Sequence, residues 1–291
     1  MGRLVSLFAI VLAALGVVAA PVAAADIDIQ PVGSVPIPAG PAEAWIVADM
    51  DTGQVLAGRN DTTRYAPAST IKTLLAQVVL DEVPLDTTIA AEEADTRVEC
   101  NCAGVAPGHI YTARQLLEAL LLVSGNDAAN TLARMLGGMD TAVAKMNAKA
   151  AQLGAHGTNV VTPSGLDGPG MPFWSTAHDL AMIFRAAMAN PVFAQITAMP
   201  STVFPTKAGE AVLVNQNELL HRYPGAIGGK TGFTDIARKT FVGAAQRDGR
   251  RLMVVLMHGL VKEGGPTYWD QAAGLLDWGF GLDRGASVGT L

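Results

Sequence analysis

Apolar positions along this chain first form two short runs around a turn, then recur at helical spacing, and finally return as continuous runs separated by turn residues. Trp45-Ile-Val-Ala-Asp-Met50 and Gln54-Val-Leu-Ala57 flank Asp51-Thr-Gly53, which predicts two strands joined by a tight turn. Helical spacing covers residues 69–79, 112–122, 127–136 and 141–153. Thr162-Pro-Ser-Gly-Leu-Asp-Gly-Pro-Gly170 is punctuated as a loop, and Ser175-Thr-Ala-His-Asp179 then opens a helix to about Met188 with a hydroxyl cap and an acid in its first turn. Beyond Asn217, residues 226–234, 239–246 and 251–260 are strand-like, with Arg247-Asp-Gly249 as a turn between two of them, and 269–280 closes the chain as a helix. Strands at both ends and helices between them predict an α/β (α+β) fold. One antiparallel sheet is built from both chain ends, flanked by helices, with a helical lobe inserted.

The first residues change the compartment. Arg3 precedes an almost wholly apolar run from Leu4 to Ala20, followed by Pro21 and Val22-Ala-Ala-Ala25, the pattern of a secretory signal cut after Ala25. Residues 26–291 are then the expected catalytic domain, and the protein is expected to be secreted or otherwise extracytoplasmic. Its length also fits an uncleaved anchor. Half of the residues are hydrophobic and 16% are charged, which suits a sizeable core. The formal charge is −6, and losing Arg3 makes it one unit more negative. With no basic stripe, nucleic acid is not an expected partner. Cys100 and Cys102 form C-N-C, which leaves a tight disulfide or free thiols well ahead of zinc, for which a fourth ligand is missing.

Three short patterns carry chemistry. In Ala66-Pro-Ala-Ser-Thr-Ile-Lys72, the three-residue spacing puts Ser69 and Lys72 on one helix face, with Ser69 at the helix start among apolar neighbours. A serine needs a base, and a desolvated lysine can supply one because burial disfavours its ammonium form. Val123-Ser-Gly-Asn-Asp127 offers a hydroxyl at Ser124 and an amide at Asn126, or simply a helix cap. Pro224-Gly-Ala-Ile-Gly-Gly-Lys-Thr-Gly232 resembles a phosphate loop, but Pro224 stands where the first glycine belongs, and a strand rather than a helix follows. On a strand, Lys230 and Thr231 suit a carboxylate, and Gly232 permits close approach. Each pattern alone is weak. Together they have a chance expectation of roughly 0.003 before their order is required.

In this order, with TPSGLDG and HDL between them, the motifs resemble the penicillin-interacting serine enzymes, above all the low-molecular-weight penicillin-binding proteins that are D-alanyl-D-alanine carboxypeptidases. The resemblance implies a β-lactamase/transpeptidase-like fold and a serine D,D-carboxypeptidase acting on peptidoglycan stem peptides that end in D-Ala-D-Ala, with β-lactams as inhibitors and no cofactor or metal. It implies Ser69 as nucleophile, Lys72 as base, and Ser124 with Asn126 as second motif. Lys230, Thr231, Gly232 and Phe233 would bind substrate, with the amides of Ser69 and Phe233 as oxyanion hole. D,D-endopeptidase or transpeptidase action and a non-catalytic wall-binding role remain alternatives. A class A β-lactamase is disfavoured because no glutamate lies between Glu118 and Glu210, where Asp167 is the acid of the loop. Many relatives continue into a β-rich second domain and an amphipathic anchor helix; neither is seen here after residue 280, so no stable membrane anchor is expected after signal removal. Asp235 and Arg238 are read as solvated loop charges, and Ser287 as a chance G-x-S-x-G match.

Overall fold

The long apolar runs are strands of a sheet covered on both faces. The computed structural model describes residues 28–260 and 263–291, so the signal segment and its cleavage point lie outside the described residues. The chain opens with β1 (Asp28–Ile29), β2 (Ala42–Asp49) and β3 (Gln54–Arg59). A 3-10 turn (Ala68–Ile71) leads into α1 (Lys72–Glu82), followed by β4 (Thr88–Ala90), α2 (Glu93–Thr96) and β5 (Ile110–Thr112). Next come α3 (Ala113–Leu122), α4 (Asn126–Met135), α5 (Met139–Gln152), α6 (Ala177–Met188) and α7 (Pro191–Ala198). A hairpin, β6 (Ser201–Thr206) and β7 (Gly209–Val214), and the short α8 (Leu219–Arg222) precede β8 (Ala226–Thr234), β9 (Arg238–Arg247) and β10 (Arg250–Gly259). The chain ends with α9 (Tyr268–Phe280) and β11 (Gly289–Thr290).

The main sheet has the order β1-β3-β2-β10-β9-β8, with β11 on β3, and its pairs are antiparallel. The β2–β10 pair, with Val47 opposite Val254, joins the first part of the chain to the last. Period-two alternation then divides each run between two cores. Ile46, Ala48, Met253 and Val255 face the helical lobe, where they join Leu74, Leu75, Leu120 and Phe184. Trp45, Val47, Leu252 and Val254 face α9 with Trp269, Leu275 and Leu276. Two covered faces explain why these strands read as unbroken apolar runs rather than alternating ones.

The expected sheet from both chain ends and the inserted helices are therefore present, with boundaries displaced by up to three residues. The helix expected from Ser69 instead starts with a separate 3-10 turn, and regular α geometry begins at Lys72. The sequence reading passed over α7 and the β6–β7 hairpin. Asn190 does cap α7, accepting from the Val192 amide, and Pro191 occupies its first turn. The hairpin carries Pro205 inside β6, a residue that argues against a strand unless it lies at an edge, and this two-stranded sheet has edges on both sides.

Candidate active site

Ser69 owes its position to a turn that the backbone would not adopt unaided. Ala68 has φ +49°, a left-handed conformation costly for a residue with a Cβ. Three contacts hold it. Thr70 Oγ1 donates to Pro67 O at 2.6 Å, and Thr240 Oγ1 from β9 donates to the same carbonyl at 2.9 Å. Gly165, at φ +88°, presses on the turn so closely that a Cβ there would stand 2.3 Å from Ala68 O and 2.9 Å from Ser69 Cα.

One turn along, Lys72 is wholly buried, and its Nζ lies 2.8 Å from Ser69 Oγ, 2.7 Å from Asn126 Oδ1 and 2.5 Å from Ser164 O. Burial holds its ammonium well below the ordinary lysine range, the charge of Lys230 pushes the same way, and Asp127 opposes. When it is neutral, the amine has two N–H donors and one lone pair. Asn126 Oδ1 and Ser164 O accept from the N–H groups, so the lone pair is left for the Ser69 hydroxyl. The pair is thus arranged for proton transfer from serine to lysine.

Asn126 is itself oriented. Its Nδ2 donates to Glu99 O at 2.7 Å, which turns Oδ1 towards Lys72, and its backbone N–H donates to Asn101 O at 2.7 Å. The cap alternative for this motif does not hold: α4 has Gly125 at its N-cap with no side-chain cap bond. Ser124 lies in the preceding turn at φ +62°, lines the cleft, and buries its hydroxyl without a hydrogen-bond partner. A buried hydroxyl left free is costly unless something else uses it.

The third motif runs along β8, an edge strand of the main sheet, and so is not a phosphate loop. Lys230 pairs with Val242, Thr231 with Phe241 and Gly232 with Thr240. A Cβ on Gly232 would stand 2.3 Å from Thr240 Oγ1 and 2.9 Å from Ser69 N, so glycine is what allows β8 to approach the serine turn. Lys230 is buried, donates to Thr231 O at 2.8 Å, and burial pushes its ammonium down to about 7. Phe233 stands half exposed at the rim with Lys239 Nζ 4.5 Å from its ring centre.

Ser69, Ser124, Asn126, Thr231, Gly232 and Phe233 line one cleft of about 800 Å³; Lys72 and Lys230 lie beneath its surface. Sequence reasoning missed Ser164 and Gly165, which act through a carbonyl and an absent side chain, and Thr240, which braces the serine turn from β9. Their signal was the SGLDG loop, whose contact with the turn appears only in three dimensions. Cys100 and Cys102 are joined in a disulfide at the cleft wall. Asp167, the acid of the SGLDG loop, accepts from Thr234 Oγ1 at 2.7 Å. Ser287 donates to Gly289 O near the end of the chain, away from the cleft-lining residues.

Comparison with known proteins agrees with this geometry. Residues 33–260 match the family described as D-alanyl-D-alanine carboxypeptidase. The chain is 71% identical over 267 residues to the D-alanyl-D-alanine carboxypeptidase DacB2 of Mycobacterium tuberculosis, covering 92% of each. It is 32% identical to a D-alanyl-D-alanine carboxypeptidase of Streptomyces sp. K15, covering 89% of this chain and 94% of that one. A crystal structure of a D-alanyl-D-alanine carboxypeptidase from M. tuberculosis H37Rv superposes with TM-score 0.88 at 71% identity, over 90% of this chain and all of that one. The Streptomyces K15 DD-transpeptidase structure gives TM-score 0.79 at 29% identity, over 85% and 100%. Of the Bacillus subtilis carboxypeptidase DacF, 28% identical, the chain spans 57%. With the family model covering most of the chain and the serine, lysine and asparagine of its motifs meeting at one cleft, the protein belongs to the serine-type D-alanyl-D-alanine carboxypeptidase family of hydrolases.

Proposed function

We propose that this is an exported D,D-carboxypeptidase that removes the terminal D-alanine of peptidoglycan stem pentapeptides through an acyl-enzyme on Ser69. The observation that carries it is the contact of Lys72 Nζ with Ser69 Oγ at 2.8 Å, with Asn126 Oδ1 and Ser164 O engaging two further lysine valences. Ser69 gives its proton to neutral Lys72 as Oγ attacks the carbonyl of the penultimate D-alanine. The amides of Ser69 and Phe233 receive the developing oxyanion; the close approach of Gly232 to Ser69 N supports that pairing. The leaving amine of the terminal D-alanine takes a proton, for which the unpartnered Ser124 hydroxyl is the relay to Lys72. Water then attacks the ester, and the same base serves again.

The substrate backbone lies along the free edge of β8, as extended peptides add to exposed strands. Its terminal carboxylate meets Lys230 and Thr231, and the burial of Lys230 strengthens the interaction. β-Lactams enter the same site and acylate Ser69 through their strained amide. A β-lactamase reading lacks support, because Asp167 is bonded to Thr234 and the loop has no glutamate to activate deacylating water. Transpeptidation is the second reading, favoured by the likeness to the Streptomyces K15 DD-transpeptidase. Export rests on the Leu4 to Ala25 segment. The test is incubation with a D-Ala-D-Ala pentapeptide, alone and with an added amine acceptor, followed by mass analysis. Release of D-alanine with a tetrapeptide product, abolished by Ser69→Ala, is expected. A cross-linked product dominating would establish transpeptidation, and peptide bound without cleavage would refute both enzymatic readings.

A further inference from the structure

The loop carrying Glu99, Cys100, Asn101 and Cys102 belongs to none of the three motifs, yet it supplies both bonds that orient Asn126. Glu99 O accepts from Asn126 Nδ2 and Asn101 O accepts from Asn126 N, each at 2.7 Å. Asn101 Nδ2 donates to Val123 O at 3.1 Å, at the other end of the same turn. Farther along, the amides of Ala103, Gly104 and Val105 donate to the carboxylate of Asp127 at 2.9 Å each. The disulfide lies between these two sets of bonds and brackets Asn101. It holds the Cα atoms of Cys100 and Cys102 4.9 Å apart, against roughly 7 Å for such a pair in an extended chain. A crosslink enclosing so few residues restrains the denatured chain little, so its effect is local geometry rather than global stability.

We propose that the Cys100–Cys102 disulfide is a positioning device for Asn126: by folding the loop back at Asn101 it aims two carbonyls at Asn126 and so keeps Oδ1 on Lys72. The disulfide touches no reacting atom and acts through Asn126. This rests on the acyl-enzyme reading of Ser69. Opening it leaves Asn126 free to turn, and Lys72 then loses the acceptor that directs its lone pair to Ser69. Misplacement by about 1 Å costs on the order of a hundredfold in rate when reacting groups must align. Cys100 is exposed at the cleft, so a small dithiol reaches it.

The experiment compares oxidised and reduced protein. A dithiothreitol thiolate attacks one sulfur, its second thiol closes a cyclic disulfide, and Cys100 and Cys102 become thiols, a gain of two hydrogens seen in the intact mass. The expected result is a ten- to hundredfold fall in the acylation rate constant for a fluorescent penicillin, with Tm nearly unchanged and faster hydrogen exchange at the Asn126 amide. Re-oxidation by glutathione disulfide, which leaves as two glutathione thiols, restores the rate. The double variant C100S/C102S behaves as the reduced protein and is insensitive to dithiol. Equal acylation in fully reduced and oxidised protein overturns the inference alone. A rate loss matched by a large fall in Tm also overturns it, because the disulfide would then act on stability. No acylation in either state overturns the reading of Ser69 as well.

Discussion

Gly165→Ala tests whether the loop behind Ser69 sets its position. The new Cβ would stand 2.3 Å from Ala68 O, 2.6 Å from Ala68 C and 2.9 Å from Ser69 Cα, where ordinary contact begins at 3.4 Å. All three neighbours are backbone and cannot swing aside, so loop and serine turn must separate by about 1 Å. That separation also lengthens the contact of Ser164 O with Lys72 Nζ, since Ser164 is the preceding residue. A shift of this size in aligned reacting groups costs on the order of a hundredfold in acylation rate. Stability falls too. Alanine at φ +88° costs about 1–2 kcal/mol and the forced overlap a further 1–3 kcal/mol, so Tm drops by roughly 4–20 °C. Gly170→Ala is the control, because Gly170 has φ +76° but open space where the Cβ would go. It should lose about 1 kcal/mol of stability and keep its acylation rate. The assay is stopped-flow labelling with a fluorescent penicillin, alongside thermal unfolding. Gly165→Ala acylating within threefold of the unmodified protein, or Gly170→Ala falling as far, would refute the reasoning.

Asp127→Ala strips the amides of Ala103, Gly104 and Val105 of their shared acceptor and should cost about 3–5 kcal/mol, read from chemical denaturation. Lys230 loses its proton near 7 when folded and close to 10.4 when unfolded, so between those values the unfolded chain binds more protons and stability rises with pH. Lys230→Gln removes that contribution, and the difference in Tm between it and the unmodified protein should change in that direction from pH 7 to 10. The same protonation predicts that KM for carboxylate-ended peptides increases above about pH 7, a trend the variant lacks. Lys72→Ala should reduce acylation by at least about a hundredfold, because general-base help contributes 10²–10⁴-fold.

The parts of this site that were legible in sequence are those whose chemistry sits in a side chain at fixed local spacing. Ser69 and Lys72 are three residues apart, a spacing that one helical or 3-10 turn brings to the same face. Lys230 to Gly232 could be placed on a strand because Thr240-Phe-Val-Gly-Ala follows where a phosphate loop needs a helix. What escaped were groups that act through backbone, and Thr240, whose hydroxyl reaches Pro67 O only once β9 is placed beside the serine turn. Ser164 offers a carbonyl, Gly165 offers room, and Glu99 and Asn101 offer carbonyls to a residue 25 or more positions away. No residue type marks such roles, so only the tertiary arrangement reveals them. The fold followed the same division. The twice-covered strands announced themselves by apolar length, whereas the β6–β7 hairpin, with Val203, Val212 and Val214 exposed and Pro205 within it, has no comparable signal.

The central claim is that Ser69 is the acylated nucleophile, and mass mapping of a penicillin adduct tests it most directly. After incubation and proteolysis, the account predicts one added penicillin on the peptide containing Ser69, absent from Ser69→Ala protein that retains its Tm. An adduct on another residue, or one that persists in Ser69→Ala, would contradict it.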